Sequence, residues 1–415
     1  MGTPMAWALC LVWSLSFGGH QHAMETSVDQ PRAAASLHGQ TPNPHVGQTP
    51  SATFDTKGRL WVVFEQDGGV FVTQSADLGK SYGPAVRVNR DDGPISARGE
   101  NRPKIAVDAR GRVFVCYTRK LPTRWSGNLM FSRSLDGGQS FEAPRRLNDD
   151  VDVTGHAFAV MALNQQGHLY LAWLDGRDRV QARKEGRELV ASSIYGTVSK
   201  DGGAHFAPNW RWVQGTCQCC RLAMAFDADQ RPILMWRHIF GDNVRDHGIG
   251  RLVADGKELV WRRAHEDGWR IQGCPHQGPA LLASRRHRTH AAWYTMQQAQ
   301  PRLLVGVFDR DGVLHDGPLV IEGHMPRHPD LAEVGGTTVL VYLDDRVDAG
   351  EVALLRRDSH DGGRTWRAAA TVRRAKGLVD QPALLTHDGK VYSLWQTEAG
   401  LDLIPLGMEE PAPAH

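Results

Sequence analysis

Three of the chain's six cysteines fall within four residues: Cys217, Cys219 and Cys220 of QGTCQCCRLAMAFD (Gln214–Asp227). A fourth, Cys274, stands two residues before His276 in GCPHQGPA (Gly273–Ala280). Thiolate and imidazole are donors for soft and borderline metals: copper(I) suits a thiolate-rich set, zinc a mixed Cys/His tetrahedron. The same residues support a competing chemistry. In an exported protein Cys217 and Cys274 would oxidise to a disulfide, whereas a bridge between the adjacent Cys219 and Cys220 would be strained and reactive. Cys116, inside the apolar stretch RVFVCYTRK, reads as a small buried hydrophobe. Either chemistry at Cys217 and Cys274 requires a fold that brings two separate segments together.

The elements that would do so are repeated. An apolar strand, a turn and a second apolar strand ending on an aromatic residue occur seven times, about fifty to sixty residues apart. The copies are PSATFDTKGRLWVVF (Pro50–Phe64), PKIAVDARGRVFVCY (Pro103–Tyr117), AVMALNQQGHLYLAW (Ala159–Trp173) and LAMAFDADQRPILMW (Leu222–Trp236). PALLASRRHRTHAAW (Pro279–Trp293), PDLAEVGGTTVLVY (Pro329–Tyr342) and PALLTHDGKVYSLW (Pro382–Trp395) complete the set. One such unit cannot bury both of its faces, so the copies must stack, and four short strands per unit closing in a ring is the propeller solution. The expected fold is all-β, with seven four-stranded blades; six is the alternative if one repeat is miscounted. The last copy lacks an evident fourth strand, and Ser27–Gln40 is the candidate to supply it and latch the ring.

In a ring, residues that lead into the innermost strands meet at one end of the central channel. Five residues before the anchor of each copy stand, among others, His45, Cys217, Cys274 and His324. Three before it stand His156, Cys219 and His276, and one before it Arg102, Arg221 and His328. The expected ligand set is therefore Cys217, Cys219, Cys220 and Cys274 with His45, His156, His276 and His324, holding copper or, alternatively, zinc. The polar loop RHIFGDNVRDHG (Arg237–Gly248) begins at the same end. His238, Arg245 and Asp246 from it, with His328, are expected to support the ligands from behind.

The turns after the third strands carry a further signature. SADLGKSY, SLDGGQSF, SKDGGAHF and SHDGGRTW share Ser-x-Asp-x-Gly-x-x-aromatic, with Asp77, Asp136, Asp201 and Asp361 at the acidic position. The Asp would hydrogen-bond its own turn, Gly would supply positive φ, and the aromatic would pack into the blade, so these aspartates read as structural. The four turns resemble the Asp-box (BNR) repeats of sialidase-like β-propellers, and the resemblance covers nearly the whole mature chain. It implies an exo-acting glycoside hydrolase in which arginines hold a sugar carboxylate beside a Tyr–Glu nucleophile pair. The nearest candidates are Arg102 in NRPKI, one residue out of the expected spacing, then Arg221, Arg237, Arg245 and Arg327, and Tyr294 with Glu65 or Glu398. Fold alone does not carry that activity, and pairing of the arginines with Asp175, Asp246 and Asp344 is the competing expectation. A propeller stapled by Cys217–Cys274 and used only to bind a protein is a third reading.

Composition narrows the partners. The net charge is +2, with 48 basic against 46 acidic residues, which gives no electrostatic case for nucleic acid or an anionic membrane surface. The apolar run Met5–Phe17 is too short to span a bilayer and fits a secretory signal cleaved near Ala23, although no Lys or Arg precedes it. The expected division is a signal over 1–23, an N-terminal segment over 24–44, the propeller over 45–405 and a tail over 406–415. The mature protein is then secreted or periplasmic, with a metal ion or a glycan at the channel mouth and no membrane span.

Overall fold

The computed structural model describes residues 41–90, 93–284 and 288–407. Seven antiparallel sheets follow one another along the chain. The first contains Gln48–Phe54, Leu60–Gln66, Gly69–Ser75 and Val86–Arg87, paired in chain order. Blades 3 to 6 repeat this order, while blade 2 carries the extra short strand Ile95–Ser96 on its second strand, Val113–Lys120. Blade 7 has three strands among the described residues, Ala383–His387, Lys390–Thr397 and Gly400–Leu406. The segment expected to add a fourth lies outside the described residues, as does the expected signal.

The innermost strands form the hub. Lys104–Val107 lies between Gln48–Phe54 and His156–Leu163, and the sequence continues through Ala223–Phe226, Ala280–Ala283 and Pro326–Val334 to Ala383–His387. That last strand lies against Gln48–Phe54 and closes a seven-bladed β-propeller. The aromatic that ends each second strand is the centre of its blade: Phe64, Tyr117, Trp173, Trp236, Trp293, Tyr342 and Trp395 are all at most 1% exposed. Each ring removes enough apolar area to contribute about 4–6 kcal/mol before the entropy of ordering is counted.

The four Ser-x-Asp-x-Gly turns share one hydrogen-bond scheme. The Ser hydroxyls of Ser75, Ser134, Ser199 and Ser359 donate to the aspartate two residues on, at 2.7–2.9 Å. Each also accepts from the amide of Gly79, Gly138, Gly203 or Gly363 at 2.8 Å. Every one of these glycines has a φ between +75° and +87°, where a β-carbon would be strained. The aspartates Asp77, Asp136, Asp201 and Asp361 thus serve their own turns. Because strands alternate in direction, these turns sit at the end of the ring opposite the segments that lead into the innermost strands.

Those leading segments are of two kinds. In blades 1, 3 and 6 the inner strand carries a bulge, between Gln48 and Ser51, Ala157 and Val160, and Arg327 and Asp330. At each bulge a non-glycine residue takes a left-handed conformation: Thr49 (φ 49°), Phe158 (φ 56°) and His328 (φ 49°). Beyond the bulge the chain stays paired to its own blade, as in His156 opposite Asp175. In blades 4 and 5 the inner ladders begin at Ala223 and Ala280, although ahead of the first of them Thr216 still bridges His238 and the Cys217 amide bonds the Arg237 carbonyl.

Candidate metal centre

The cysteine-bearing segments that precede Ala223 and Ala280 meet. Cys217 Sγ lies 3.7 Å from Cys219 Sγ and 3.8 Å from Cys220 Sγ. All three side chains are buried, with Phe158 packed against them. Cys219 also reaches the next segment: Cys219, Cys274 and His276 form a second group whose donor atoms lie within 4.8 Å of one another. Cys274 is exposed and His276 half-buried, so this group faces solvent. An ion with metal–sulfur bonds near 2.3 Å separates tetrahedral thiolates by about 3.8 Å, and the sulfur spacing therefore suits a metal without rearrangement.

Backbone and charge fix this arrangement. The Cys217 amide donates to the Arg237 carbonyl at 2.9 Å, and Arg245 Nη1 donates to Cys217 Sγ at 3.2 Å. Hydrogen bonds from Cys219 and Cys220, with the positive charges of Arg245 and Arg237, pull the Cys217 thiol well below its ordinary value. The cost falls on its neighbours, since Cys219 is pushed up by its bonds to the other thiols and Cys220 chiefly by burial. Cys274, bonded to Cys219 and near His276, is lowered to about 7. A low-lying thiolate among protonated thiols is primed to take a cation with release of protons.

One carboxylate holds both segments in place. Glu100, almost fully buried, accepts the Arg221 amide at 2.9 Å, the Gly278 amide at 2.8 Å and Arg221 Nη1 at 3.0 Å. Arg221 follows Cys220 directly, and Gly278 lies two residues past His276. Burial would raise the Glu100 carboxyl, but Arg221 and His328 hold it well below the usual range. Gly278 cannot carry a side chain here, because a β-carbon would fall 2.6 Å from the Arg221 carbonyl oxygen. Glu100 shares the repeat register with His156, Cys219 and His276, and this position was the signal available in the sequence.

The remaining expected ligands are elsewhere. His156 is buried between Asp150 (2.9 Å) and Asp175 (3.5 Å) and bonds the Gly127 carbonyl through Nδ1. His45 accepts the Leu401 amide at the seam between blades 1 and 7, and His324 is exposed at the approach to blade 6. These three are paired or carried away by the bulged segments, so the expected eight-residue set reduces to the four cysteines and His276. The described cysteines are all free thiols, and Cys274 is grouped with Cys219 and His276, not with Cys217, its partner in the competing disulfide reading. Of the supporting residues, Arg245 does touch a ligand. His238 instead packs on Phe240 and Trp261, Asp246 pairs with Arg263 and the amides of Gly268 and Trp269, and His328 faces Glu100.

The arginines expected at a sugar carboxylate are engaged within the protein. Arg102 grips Asp380 with both terminal nitrogens, at 2.6 and 3.0 Å, and Arg327 pairs with Asp345 at 2.8 Å. Arg237, 1% exposed, donates to the carbonyls of Arg245, Gln277 and Tyr294 and lies 4.8 Å above the Trp269 ring. Tyr294 stands on blade 5 against Trp269, while Glu65 and Glu398 hold the amides of Gly68 and Leu378 on blades 1 and 7. The pairing expected for Asp175 is made by Arg177 at 2.9 Å.

No family model matches the chain, and no curated protein matches it. Solved structures share its architecture. An ulvan lyase of polysaccharide lyase family PL25, solved bound to -[GlcA(1-4)Rha3S]-, is 10% identical with a TM-score of 0.56, covering 88% of this chain and 94% of that one. The polysaccharide lyase Uly1 is 11% identical with a TM-score of 0.55 over 91% and 95% of the two chains. The Hadza microbial sialidase Hz136 is 15% identical with a TM-score of 0.49 over 88% and 66%. At these identities the likeness speaks to the propeller fold and to that alone.

Proposed function

We propose that this chain is an exported propeller that binds a soft transition-metal ion, copper(I) before zinc, at the mouth of its central channel. Cys217, Cys219, Cys220, Cys274 and His276 would hold the ion, and handling of that ion would be its role. The observation that carries the reading is the spacing of the sulfurs, 3.7 and 3.8 Å around Cys217, with a guanidinium on the central thiol. Thiolate-rich sites select soft ions, which is the ground for copper. The bound ion would supply a Lewis-acidic, thiolate-ligated centre. The protein's own part is to exclude water with Phe158, orient Cys217 through Arg245, and hold the two ligand-bearing segments on Glu100. The apolar run Met5–Phe17 supports export, and among the described residues no helix is long and apolar enough to cross a membrane. Elemental analysis of untagged protein tests the site. The wild type should retain copper or zinc through gel filtration, and Cys219→Ser/Cys220→Ser should lose it; equal metal in both would remove the proposal.

A second reading carries the chemistry named for the structural neighbours over to this chain and takes a glycan, not a metal, as the ligand. Both neighbours with a TM-score above 0.5 named above are polysaccharide lyases, each aligned over about nine-tenths of the two chains. The repeated turns fit the Asp-box resemblance as well. In this reading the polar hub binds an acidic sugar. Lys104, half-buried in the innermost strand of blade 2, has its ammonium pushed down to about 7 by burial and by Arg102 and Arg221, and so can exchange a proton near neutrality. Incubation with uronate-containing polysaccharides, followed at the absorbance of unsaturated products, and a fluorogenic sialoside assay test it. Turnover in either, abolished in Lys104→Met for the former, would support a glycan-acting enzyme; no turnover in both would leave the metal reading alone.

A further inference from the structure

We infer that the cluster holds two monovalent soft-metal ions that share the Cys219 thiolate, an inner one on Cys217, Cys219 and Cys220 and an outer one on Cys219, Cys274 and His276. The inference rests on the proposed metal-binding reading and adds to it the number, charge and order of the ions. Among the described residues the donors fall into two sets of three, not one set of five, and Cys219 is their common member. A single tetrahedral ion would need four donors mutually about 3.8 Å apart. Each set alone supplies a three-coordinate site, with three sulfur donors in the inner set and two in the outer, and a thiolate has lone pairs enough to bridge.

Charge is consistent with this count, and since one divalent ion would balance the site equally, it is the division of the donors into two sets that calls for two ions. Four thiolates bring four negative charges into a site whose inner three sulfurs are at most 4% exposed. Arg245 lies on Cys217, and Arg237 acts on both Cys217 and Cys220. These two guanidinium groups neutralise two charges, and two monovalent ions neutralise the other two. One monovalent ion would leave a buried negative charge uncompensated, and two divalent ions would leave two positive ones, either of which is costly in a low-dielectric setting. Each thiol that binds gives up its proton to solvent, and no electron is transferred.

Burial sets the order of filling. The outer set faces solvent through the exposed Cys274, whereas Phe158 and the surrounding chain cover the inner set. An ion captured by Cys274 and His276 reaches the inner sulfurs by exchanging those two ligands for Cys217 and Cys220 while staying on Cys219. The outer position then refills. The outer site is thus a loading and unloading position and the inner one a store.

Anaerobic titration of the reduced, untagged full chain with copper(I), against a chromophoric copper(I) chelator, reads the stoichiometry directly. The wild type should take two equivalents. Cys274→Ser/His276→Ala, which alters only surface-accessible side chains, should keep one equivalent and fill at least tenfold more slowly. Cys219→Ser should lose high-affinity binding of both. X-ray absorption should show a short metal–metal distance in the doubly loaded wild type and none in the outer-site variant. Saturation of the wild type at one equivalent, or loss of all binding in the outer-site variant, would overturn the two-ion arrangement while leaving a metal site in place. A wild type that binds no copper(I) would instead overturn the metal-binding reading on which it rests.

Discussion

Replacing Glu100 by Gln keeps the shape of the side chain and removes its charge, which makes it a direct test of how the two ligand-bearing segments are held. In the wild type this carboxylate accepts the amides of Arg221 and Gly278 and the Arg221 guanidinium within 2.8–3.0 Å. Removing one partner from a buried ion pair costs about 3–5 kcal/mol, because the other charge is left uncompensated. For the propeller of Gln48–Leu406, about 2.1 cal/mol/K per residue gives an unfolding entropy near 0.75 kcal/mol/K, so Tm should fall by about 4–7 °C at pH 7. The sign with pH follows from the depressed folded-state value of Glu100. Its stabilisation is complete above the unfolded carboxyl value of about 4.3 and is lost as pH falls toward the folded value. Below about pH 4 the unfolded carboxyl takes up a proton while the folded one stays ionised, so the wild type loses stability that the Gln variant never had and the gap between the two melting curves should narrow. Copper(I) affinity should drop by about tenfold to a hundredfold, as expected of a residue that orients ligands without touching the ion. Differential scanning calorimetry from pH 3 to 7 and a chelator competition supply both readouts. A loss under 1 °C at pH 7, or a gap that persists unchanged below pH 4, would refute the clamp.

Three further outcomes follow from the same geometry. Alkylation of metal-free native protein should modify a single cysteine quickly, Cys274, with a rate that rises through about pH 7; a second fast thiol would contradict the burial of Cys217, Cys219 and Cys220. Burial lowers the His156 imidazole, but Asp150, Asp175 and the Gly127 carbonyl raise it above its ordinary value. Its contribution to stability is therefore full below the unfolded value of about 6.5 and fades as pH rises through the folded one, so His156→Asn should be most destabilising in mild acid, measured by urea unfolding at pH 5.5 and 8.5. Gly278→Ala should cost at least about 1–3 kcal/mol through its collision with the Arg221 backbone and weaken copper retention with it; a neutral result would mean the two segments are not in close contact.

The architecture was legible because a ring forces repetition: seven buried aromatics and four identical turns each mark the same place in their blade, and a repeated signal survives local irregularity. The convergence of Cys217, Cys219, Cys220, Cys274 and His276 was legible for the same reason. His45, His156 and His324 share that register and still diverge, because register counts residues along a chain and says nothing of where the chain turns. They belong to blades 1, 3 and 6, whose bulges at Thr49, Phe158 and His328 keep the upstream segment on its own blade, as with His156 opposite Asp175. A bulge leaves no strong compositional trace, since none of these left-handed residues is glycine. Glu100 was visible in the aligned positions but reads as an ordinary acidic residue until the two amides it accepts are seen. The arginines were misleading in the opposite way, since guanidinium groups that suit a sugar carboxylate suit Asp380 and Asp345 equally well.

The seam between the first and last blades has a mechanical consequence. There the circle is joined by side-chain and backbone contacts such as Gln396 Nε2 to the Gly47 carbonyl and the Leu401 amide to His45, with no strand from blade 1 shared among the described residues. Under load or heat the wheel should part at that join before any other, as a bracelet opens at its clasp. The sulfur cluster stands on the segments leading into blades 4 and 5, across the hub from the clasp. Transient gaping on one side can thus come and go without disturbing the thiols on the other.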